Sequence, residues 1–173
     1  MSRIPNTHGG GARTNVNGLR FERLSNILKL ISTQTELYVV ENEIYNSEST
    51  HVATFYEKHG FYKLFLDRYH VDYRTLISAK LLPDSVIVTH DTVFIIEMKY
   101  QNSHGSVDEK LQTCDFKKKQ YQKLCTPIGF KVEYIYLLND WFNQKKFDDV
   151  FDYIDSVGCQ YFIDILPLEI FGL

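Results

Sequence analysis

Two short runs of β-branched and aliphatic residues, separated by only three residues, constrain the fold of this chain more than any other feature. The runs are residues 85–89 and 93–99, and residues 90–92 connect them. Runs of this length and composition predict strands, and so short a connection allows the two strands to pair as an antiparallel hairpin. The sequence therefore predicts a β-hairpin near the middle of the chain.

The segments around this hairpin alternate between helical and extended patterns. Apolar residues at a spacing of three and four predict helices, whereas β-branched and aromatic runs predict strands. The predicted helices cover residues 18–32, 51–69 with a break at Gly60, 106–124 and 140–157, and the other predicted strands cover residues 36–45, 131–138 and 160–166. This order predicts an α/β domain with a central mixed β-sheet flanked by helices, because the hairpin is antiparallel and strand-helix-strand units add parallel strands.

Length and composition are typical of one globular domain. The 173 residues are 44% hydrophobic and 24% charged, and a chain of this size buries enough surface to fold without a disulfide or a structural metal. Three cysteines without a C-x-x-C pair and six histidines without an H-x-x-x-H pair argue against a disulfide framework and a zinc site. We find no membrane-spanning run or signal peptide. We therefore expect residues 1–173 to form a single domain in the cytoplasm.

Charge is distributed unevenly along the chain. The net charge of −3 argues against bulk nucleic-acid binding. Residues 13–29, however, carry four basic side chains against one acidic side chain, and residues 131–173 carry three against eight. One face could therefore approach phosphate groups, with ordinary surface scatter as the alternative. Residues 1–17 contain three consecutive glycines and predict a flexible arm, which could also contact phosphate through Arg13.

Charged residues at the open end of the hairpin predict a catalytic, metal-binding site. Glu97 and Lys99 are two residues apart on a strand and therefore share one face, whereas Met98 points to the other face. Asp84 begins the partner strand after Pro83, and antiparallel pairing brings it roughly opposite residues 98–99. We therefore expect Asp84 and Glu97 to share a cation. Two carboxylates, a backbone carbonyl and water match the oxygen coordination that Mg²⁺ prefers, and Lys99 would orient or deprotonate the attacking water.

This pattern of residues resembles a known family motif. Pro83-Asp84 followed by Glu97-Met98-Lys99 is similar to the motif of the PD-(D/E)xK nuclease superfamily, and within it to that of the small Type II restriction endonucleases. The runs at residues 18–22, 101–113 and 162–173 extend the resemblance. It implies a restriction-endonuclease-like fold and Mg²⁺-dependent cleavage of double-stranded DNA at a specific sequence. It also implies a cognate DNA methyltransferase that protects the host's sites. With one active site per chain, cutting both strands requires a homodimer, which we expect, or successive nicking by a monomer.

The resemblance implies roles for individual residues as well. Asp84, Glu97 and the carbonyl of Met98 would bind the metal, and Lys99 would be the catalytic lysine. Glu22 and Gln112 are expected to complete the catalytic site, although each could be an ordinary surface residue. The expected DNA contacts are Arg13, Arg20, Gln101, Ser106, Asp108, Lys110 and Lys117. A capping role alone would explain Ser106, and a solvated helix face would explain Lys117.

Three other interpretations fit the same residues. A repair nuclease or Holliday-junction-resolving nuclease of the same fold would cut structured DNA instead of a specific sequence. A catalytically silent DNA-binding module would keep the motif without cutting. A Glu-x-Lys pair at a strand end can also be a solvated ion pair with no role in catalysis.

Overall fold

Seven strands of the described part of the chain form one mixed sheet, and their spatial order follows their order along the chain. The computed structural model describes residues 27–32, 36–103 and 107–173. The strands are β1 (Leu37–Val40), β2 (Glu43–Asn46), β3 (His51–Tyr56), β4 (Ser85–Val88), β5 (Thr92–Lys99), β6 (Lys131–Leu138) and β7 (Gln160–Ile163). Strands β1 to β5 pair antiparallel, and β5, β6 and β7 pair parallel. The predicted α/β class with a central mixed sheet is confirmed for these residues.

Helices cover both faces of the sheet. The described α-helices are α1 (Ile27–Ser32), α2 (Val107–Leu111), α3 (Cys114–Cys125) and α4 (Asp148–Ser156), and Phe61–Leu66 form a π-helix. Side chains of β5 alternate between the two cores, because successive residues of a strand point to opposite faces. Val93 and Ile95 pack in the core with α3, and Phe94 and Ile96 pack in the core with α1. Strand β5 is therefore buried on both faces, and only its last residue, Lys99, is partly exposed.

The predicted central hairpin is confirmed by the pairing of β4 with β5. Strand β6 also has the predicted bounds and runs parallel to β5 over the full length of both strands. Its apolar residues are buried on both faces, as expected for a strand in the interior of a sheet. The motif strand therefore lies between an antiparallel neighbour and a parallel one.

The prediction of one strand over residues 36–45 is wrong. This segment contains all of β1, a two-residue turn at Glu41 and Asn42, and most of β2. Glu41 has a φ of +56°, and Asn42 is held by the amide of Phe55, which donates to its carbonyl at 2.7 Å. The contact with β3 thus stabilises a turn at residues that do not carry the usual glycine signal.

The prediction of a helix over residues 51–69 is wrong at its beginning. His51–Tyr56 form strand β3, which pairs with β2 on one side and β4 on the other, and helical structure begins only at His59. Aromatic and β-branched residues in this segment fit a buried strand as well as a helix. Pairing with two neighbouring strands satisfies the backbone hydrogen bonds on both sides of this segment, and the segment is therefore a strand and not a helix.

The other predicted helices and the last strand are shorter than expected. The helix predicted over residues 106–124 is divided at Gln112 and Thr113, where the Thr113 hydroxyl donates to the Lys110 carbonyl at 2.7 Å. The helix predicted from residue 140 begins at Asp148, after two short 3₁₀ turns. It ends before Gly158, whose φ of +69° confirms the predicted glycine stop. Strand β7 ends at Ile163 because the chain turns at Asp164, whose φ is +58°.

Several predictions concern residues outside the described ranges. The N-terminal arm at residues 1–17 and the first part of the helix predicted over residues 18–32 belong to this group, and the described remainder ends at Ser32 as predicted. In the described part of the chain, no helix is both long enough and apolar enough to span a membrane.

Candidate active site

The register of the hairpin brings the two expected metal-binding carboxylates to the same face of the sheet. Ser85 pairs with Ile96, so Asp84, the preceding residue, lies opposite Glu97. The sequence placed Asp84 opposite residues 98–99, and this prediction is wrong by one to two positions. Directly opposite residues of an antiparallel pair share a face. The carboxylates of Asp84 and Glu97 therefore point to the same side.

The ammonium group of Lys99 marks the point where the expected metal ligands meet. Its Nζ donates to Glu97 Oε2 at 2.7 Å and to the Met98 carbonyl at 3.3 Å. Asp84 Oδ2 lies 3.8 Å from the same Nζ. Both carboxylates and the carbonyl therefore lie within 4 Å of one positive charge, an arrangement that could also surround a metal cation.

The carboxylates are largely removed from water. The side chain of Glu97 is 8% exposed and that of Asp84 is 18% exposed. Burial raises the pKa of Asp84, and the nearby Glu97 raises it further, whereas Lys99 and the amide of Met98 oppose this increase. A buried pair of carboxylates requires compensating positive charge. Lysines supply that charge in the structure.

A second lysine contacts the same carboxylate from helix α3. Lys117 Nζ lies 3.3 Å from Glu97 Oε2, and the Lys117 side chain is only 22% exposed. The sequence predicted that Lys117 contacts DNA or lies on a solvated helix face. Its position between the buried Cys114 and Tyr121, at a spacing of three and four residues, is the sequence signal that indicated the inner face of the helix. The solvated-face interpretation is therefore wrong for Lys117.

Two tyrosines hold the segment that precedes Asp84. The hydroxyls of Tyr62 and Tyr121 both donate to the Leu81 carbonyl at 2.9 Å, and the Leu81 amide donates to the Tyr62 hydroxyl at 3.2 Å. Burial raises the pKa of Tyr62 to about 12 and also raises the pKa of Tyr121. Both hydroxyls are therefore protonated donors at neutral pH. Sequence reasoning missed both tyrosines, which lie far from Leu81 along the chain.

The ends of β5 and β6 are joined beside Lys99. The Gln101 amide donates to Asn139 Oδ1 at 2.8 Å, and Asn139 Nδ2 donates to the Gln101 carbonyl at 2.9 Å. Gln101 is 3% exposed, and its Nε2 donates to the Ser103 carbonyl. Its Oε1 is buried and accepts no hydrogen bond from the described residues. Within the described ranges, the glutamine that was expected to contact DNA therefore has one acceptor without a partner, just after the motif strand.

Of the remaining expected site residues, some lie away from this cluster and the others lie outside the described ranges. Gln112 is exposed in the turn between α2 and α3, and no hydrogen bond or ion pair among the described residues joins it to Asp84 or Glu97. Its expected place in the catalytic site is therefore not supported. Lys110 is exposed in α2, and Asp108 lies in the same helix. Outside the described ranges lie Arg13, Arg20, Glu22 and Ser106.

The chemistry of the donor set fits a hard divalent cation. Within the described ranges, no group of three or more His, Cys, Asp or Glu side chains could hold a metal ion. A cation bound here would therefore use two carboxylates, the carbonyl of Met98 and water. All of these donors are oxygens, and Mg²⁺ is usually held by one or two carboxylates while it keeps several waters.

Comparisons with protein-family models, with curated proteins and with solved structures find no match for this chain.

Proposed function

We propose that this chain is a Mg²⁺-dependent endodeoxyribonuclease of the Type II restriction class, with a restriction-endonuclease-like fold. The observation that carries this proposal is the convergence of Asp84 Oδ2, Glu97 Oε2 and the Met98 carbonyl around Lys99 Nζ. The chain order also supports it, because an acid, a hairpin, a Glu-x-Lys strand, a helix and a parallel strand follow one another.

Mg²⁺ would be held by Asp84, Glu97 and the carbonyl of Met98. When bound, it would polarise the scissile phosphate and help to activate water for attack. Glu97 is rigidly placed for this role, because it lies near the end of a strand that is buried on both faces. Asp84 is fixed by the hydrogen bond from the Met98 amide.

Lys99 would act on the attacking water and on the phosphate. In its charged form, the Nζ group donates hydrogen bonds and would stabilise the negative charge that develops on the phosphate oxygens. In its neutral form, Nζ would accept a proton from the attacking water. Water would attack phosphorus, the bond from phosphorus to the 3′ oxygen would break, and the 3′ oxygen would take up a proton from solvent water. The products would be a 5′-phosphate and a 3′-hydroxyl.

The restriction function also implies partners. Double-stranded DNA is the proposed substrate, and a homodimer would cut both strands of a palindromic site because the symmetry of protein and DNA would match. A cognate methyltransferase would protect the host's own sites. Lys117 is paired with Glu97 and Gln101 is buried, whereas the exposed Lys110 would be available for a contact with the DNA backbone.

The proposal is tested by incubating the purified protein with plasmid and phage DNA, with and without Mg²⁺. Asp84→Asn and Lys99→Met are the test variants. Asp149→Asn and Lys123→Met, at exposed positions on α4 and α3, are the matched controls. We expect discrete fragments that require Mg²⁺, a loss of at least about 100-fold in both test variants, and unchanged cleavage in both controls.

Other outcomes would replace the proposal with a different function. Cleavage confined to branched or mismatched DNA would indicate a repair or junction-resolving nuclease. Binding of DNA without cleavage of any substrate would indicate a catalytically silent DNA-binding module.

A further inference from the structure

Glu97 Oε2 is contacted by two ammonium groups that come from different elements. Lys99 belongs to the same strand and reaches this oxygen at 2.7 Å, whereas Lys117 reaches it at 3.3 Å from helix α3. Both contacts are largely buried. The side chains of Lys99 and Lys117 are 21% and 22% exposed, and that of Glu97 is 8% exposed. A reaction scheme with one lysine accounts for Lys99 and leaves Lys117 without a role.

The two lysines differ in what else they contact. Lys99 Nζ also lies close to Asp84 Oδ2 and to the carbonyl of Met98. For Lys117, the ion pair with Glu97 is the one described polar contact of its side chain. Helix α3 holds Lys117 in place, because Cys114, three residues before it, and Tyr121, four residues after it, are both fully buried. Tyr121 is further tied to the Leu81 carbonyl.

We propose that Lys117 is a positioning residue that acts as a built-in counter-cation for Glu97 and lowers the affinity of the site for a divalent metal ion. This inference rests on the proposed function. In the absence of metal, two lysines offset the charges of Asp84 and Glu97. A divalent cation that binds Glu97 must approach the charge of Lys117, and like charges a few ångströms apart in a partly buried site repel strongly.

This repulsion has a consequence that a purely structural lysine would not produce. Removal of the Lys117 charge should strengthen metal binding, although it removes a contact from the site. A lysine that only stabilised the fold would leave metal affinity unchanged or would weaken it when replaced. The sign of the change in affinity therefore separates the two roles.

The test is a titration of the protein with Mn²⁺ in the absence of DNA, with the free ion measured by electron paramagnetic resonance. Mn²⁺ is a suitable probe because carboxylate and carbonyl oxygens bind it as they bind Mg²⁺. We expect Lys117→Met to bind Mn²⁺ about tenfold more tightly than the unchanged protein. Lys117→Arg retains the charge and should stay close to the unchanged protein, as should Lys123→Met on the exposed face of the same helix.

The outcomes distinguish this inference from the proposed function. An affinity of Lys117→Met equal to or weaker than that of the unchanged protein, while Asp84→Asn abolishes binding, overturns the role of Lys117 and leaves the metal site intact. Absence of Mn²⁺ binding by both the unchanged protein and Lys117→Met, or binding that survives in Asp84→Asn, overturns the proposed metal site and this inference together. The melting temperature verifies folding of each variant, and Lys117→Gln replaces Lys117→Met if the latter does not fold.

Discussion

The backbone amide of Met98 donates a hydrogen bond of 2.8 Å to Oδ2 of Asp84. One strand of the hairpin thus holds the carboxylate that comes from the other strand. The carbonyl of the same methionine is contacted by Lys99. The candidate site is therefore assembled from two adjacent strands, and the backbone that carries Glu97 and Lys99 also orients Asp84.

Substitution of Asp84 should change the pH dependence of stability in the metal-free protein. Burial raises the pKa of Asp84 in the folded state, so the folded protein retains this proton more strongly than the unfolded chain. The ionised carboxylate therefore costs stability as pH rises above its unfolded pKa of about 3.9, and the full cost is reached above the folded pKa. Asp84→Asn should therefore be more stable than the unchanged protein at pH 7, and this difference in stability should disappear as pH falls below the unfolded pKa.

Urea unfolding in the presence of a chelator, at several pH values, measures this difference in stability. Asp91→Asn provides a control of opposite sign, because a hydrogen bond from Lys131 lowers the pKa of the exposed Asp91. Its stabilising contribution is present above the unfolded pKa and is lost as pH falls through the folded value. An Asp84→Asn protein that is less stable than the unchanged protein at pH 7 would contradict the prediction.

The two tyrosines bound to Leu81 should show coupled effects on stability. In Tyr121→Phe the Leu81 carbonyl keeps its bond from Tyr62, so we expect a loss of about 0.5 kcal/mol. In Tyr62→Phe the Leu81 amide also loses its acceptor, and we expect a loss of about 1.5 kcal/mol. The double variant should lose more than the sum, because the carbonyl then has neither donor.

A double-mutant cycle from urea unfolding checks this coupling. Tyr45→Phe is the control, since its hydroxyl makes no hydrogen bond to any described residue, and it should have little effect. Strict additivity of the two substitutions would show that the tyrosines do not share Leu81 in solution.

Asn139→Ala should destabilise the sheet beside the candidate site, at the ends of β5 and β6. The substitution removes both side-chain hydrogen bonds with the backbone of Gln101. Two lost bonds in a half-buried position correspond to about 2 kcal/mol. Because Gln101 follows the motif strand closely, hydrogen exchange of its amide should also become faster. Asn143→Ala, on an exposed turn, serves as the control and should change neither quantity.

Two glycines should respond to alanine in opposite directions. Gly129 has a φ of +91°, and an added Cβ would meet no atom within 4 Å, so Gly129→Ala should cost about 1 kcal/mol through backbone conformation alone. Gly60 has a φ of −58°, and the nearest atom to its added Cβ is Leu64 Cδ1 at 4.0 Å. Gly60→Ala should stabilise the protein by about 0.5 kcal/mol. Thermal unfolding of the two variants measures this difference, and equal effects would contradict it.

Parts of the fold that follow from local pattern could be predicted from the sequence. The hairpin of β4 and β5 and the bounds of β6 were predicted because short apolar runs and a short connection permit few alternatives. The shared face of Glu97 and Lys99 was predicted for the same reason, since alternation along a strand is a property of the backbone.

Segments with two compatible patterns could not be decided from the sequence. Residues 51–56 contain aromatic and β-branched side chains that fit either element, and pairing with β2 and β4 makes them a strand. The turn at Glu41 likewise depends on contact with β3, because the usual glycine signal is missing there. Tertiary hydrogen bonding decided both.

By itself, the sequence determined the two acids, the lysine and the hairpin of β4 and β5 that brings them to one end. Only the tertiary structure decided that Lys117 reaches Glu97 and that Tyr121 reaches Leu81, 40 residues away along the chain. The physical reason is that backbone periodicity is set by neighbouring residues, whereas a contact between distant side chains requires the packed position of an entire helix against the sheet.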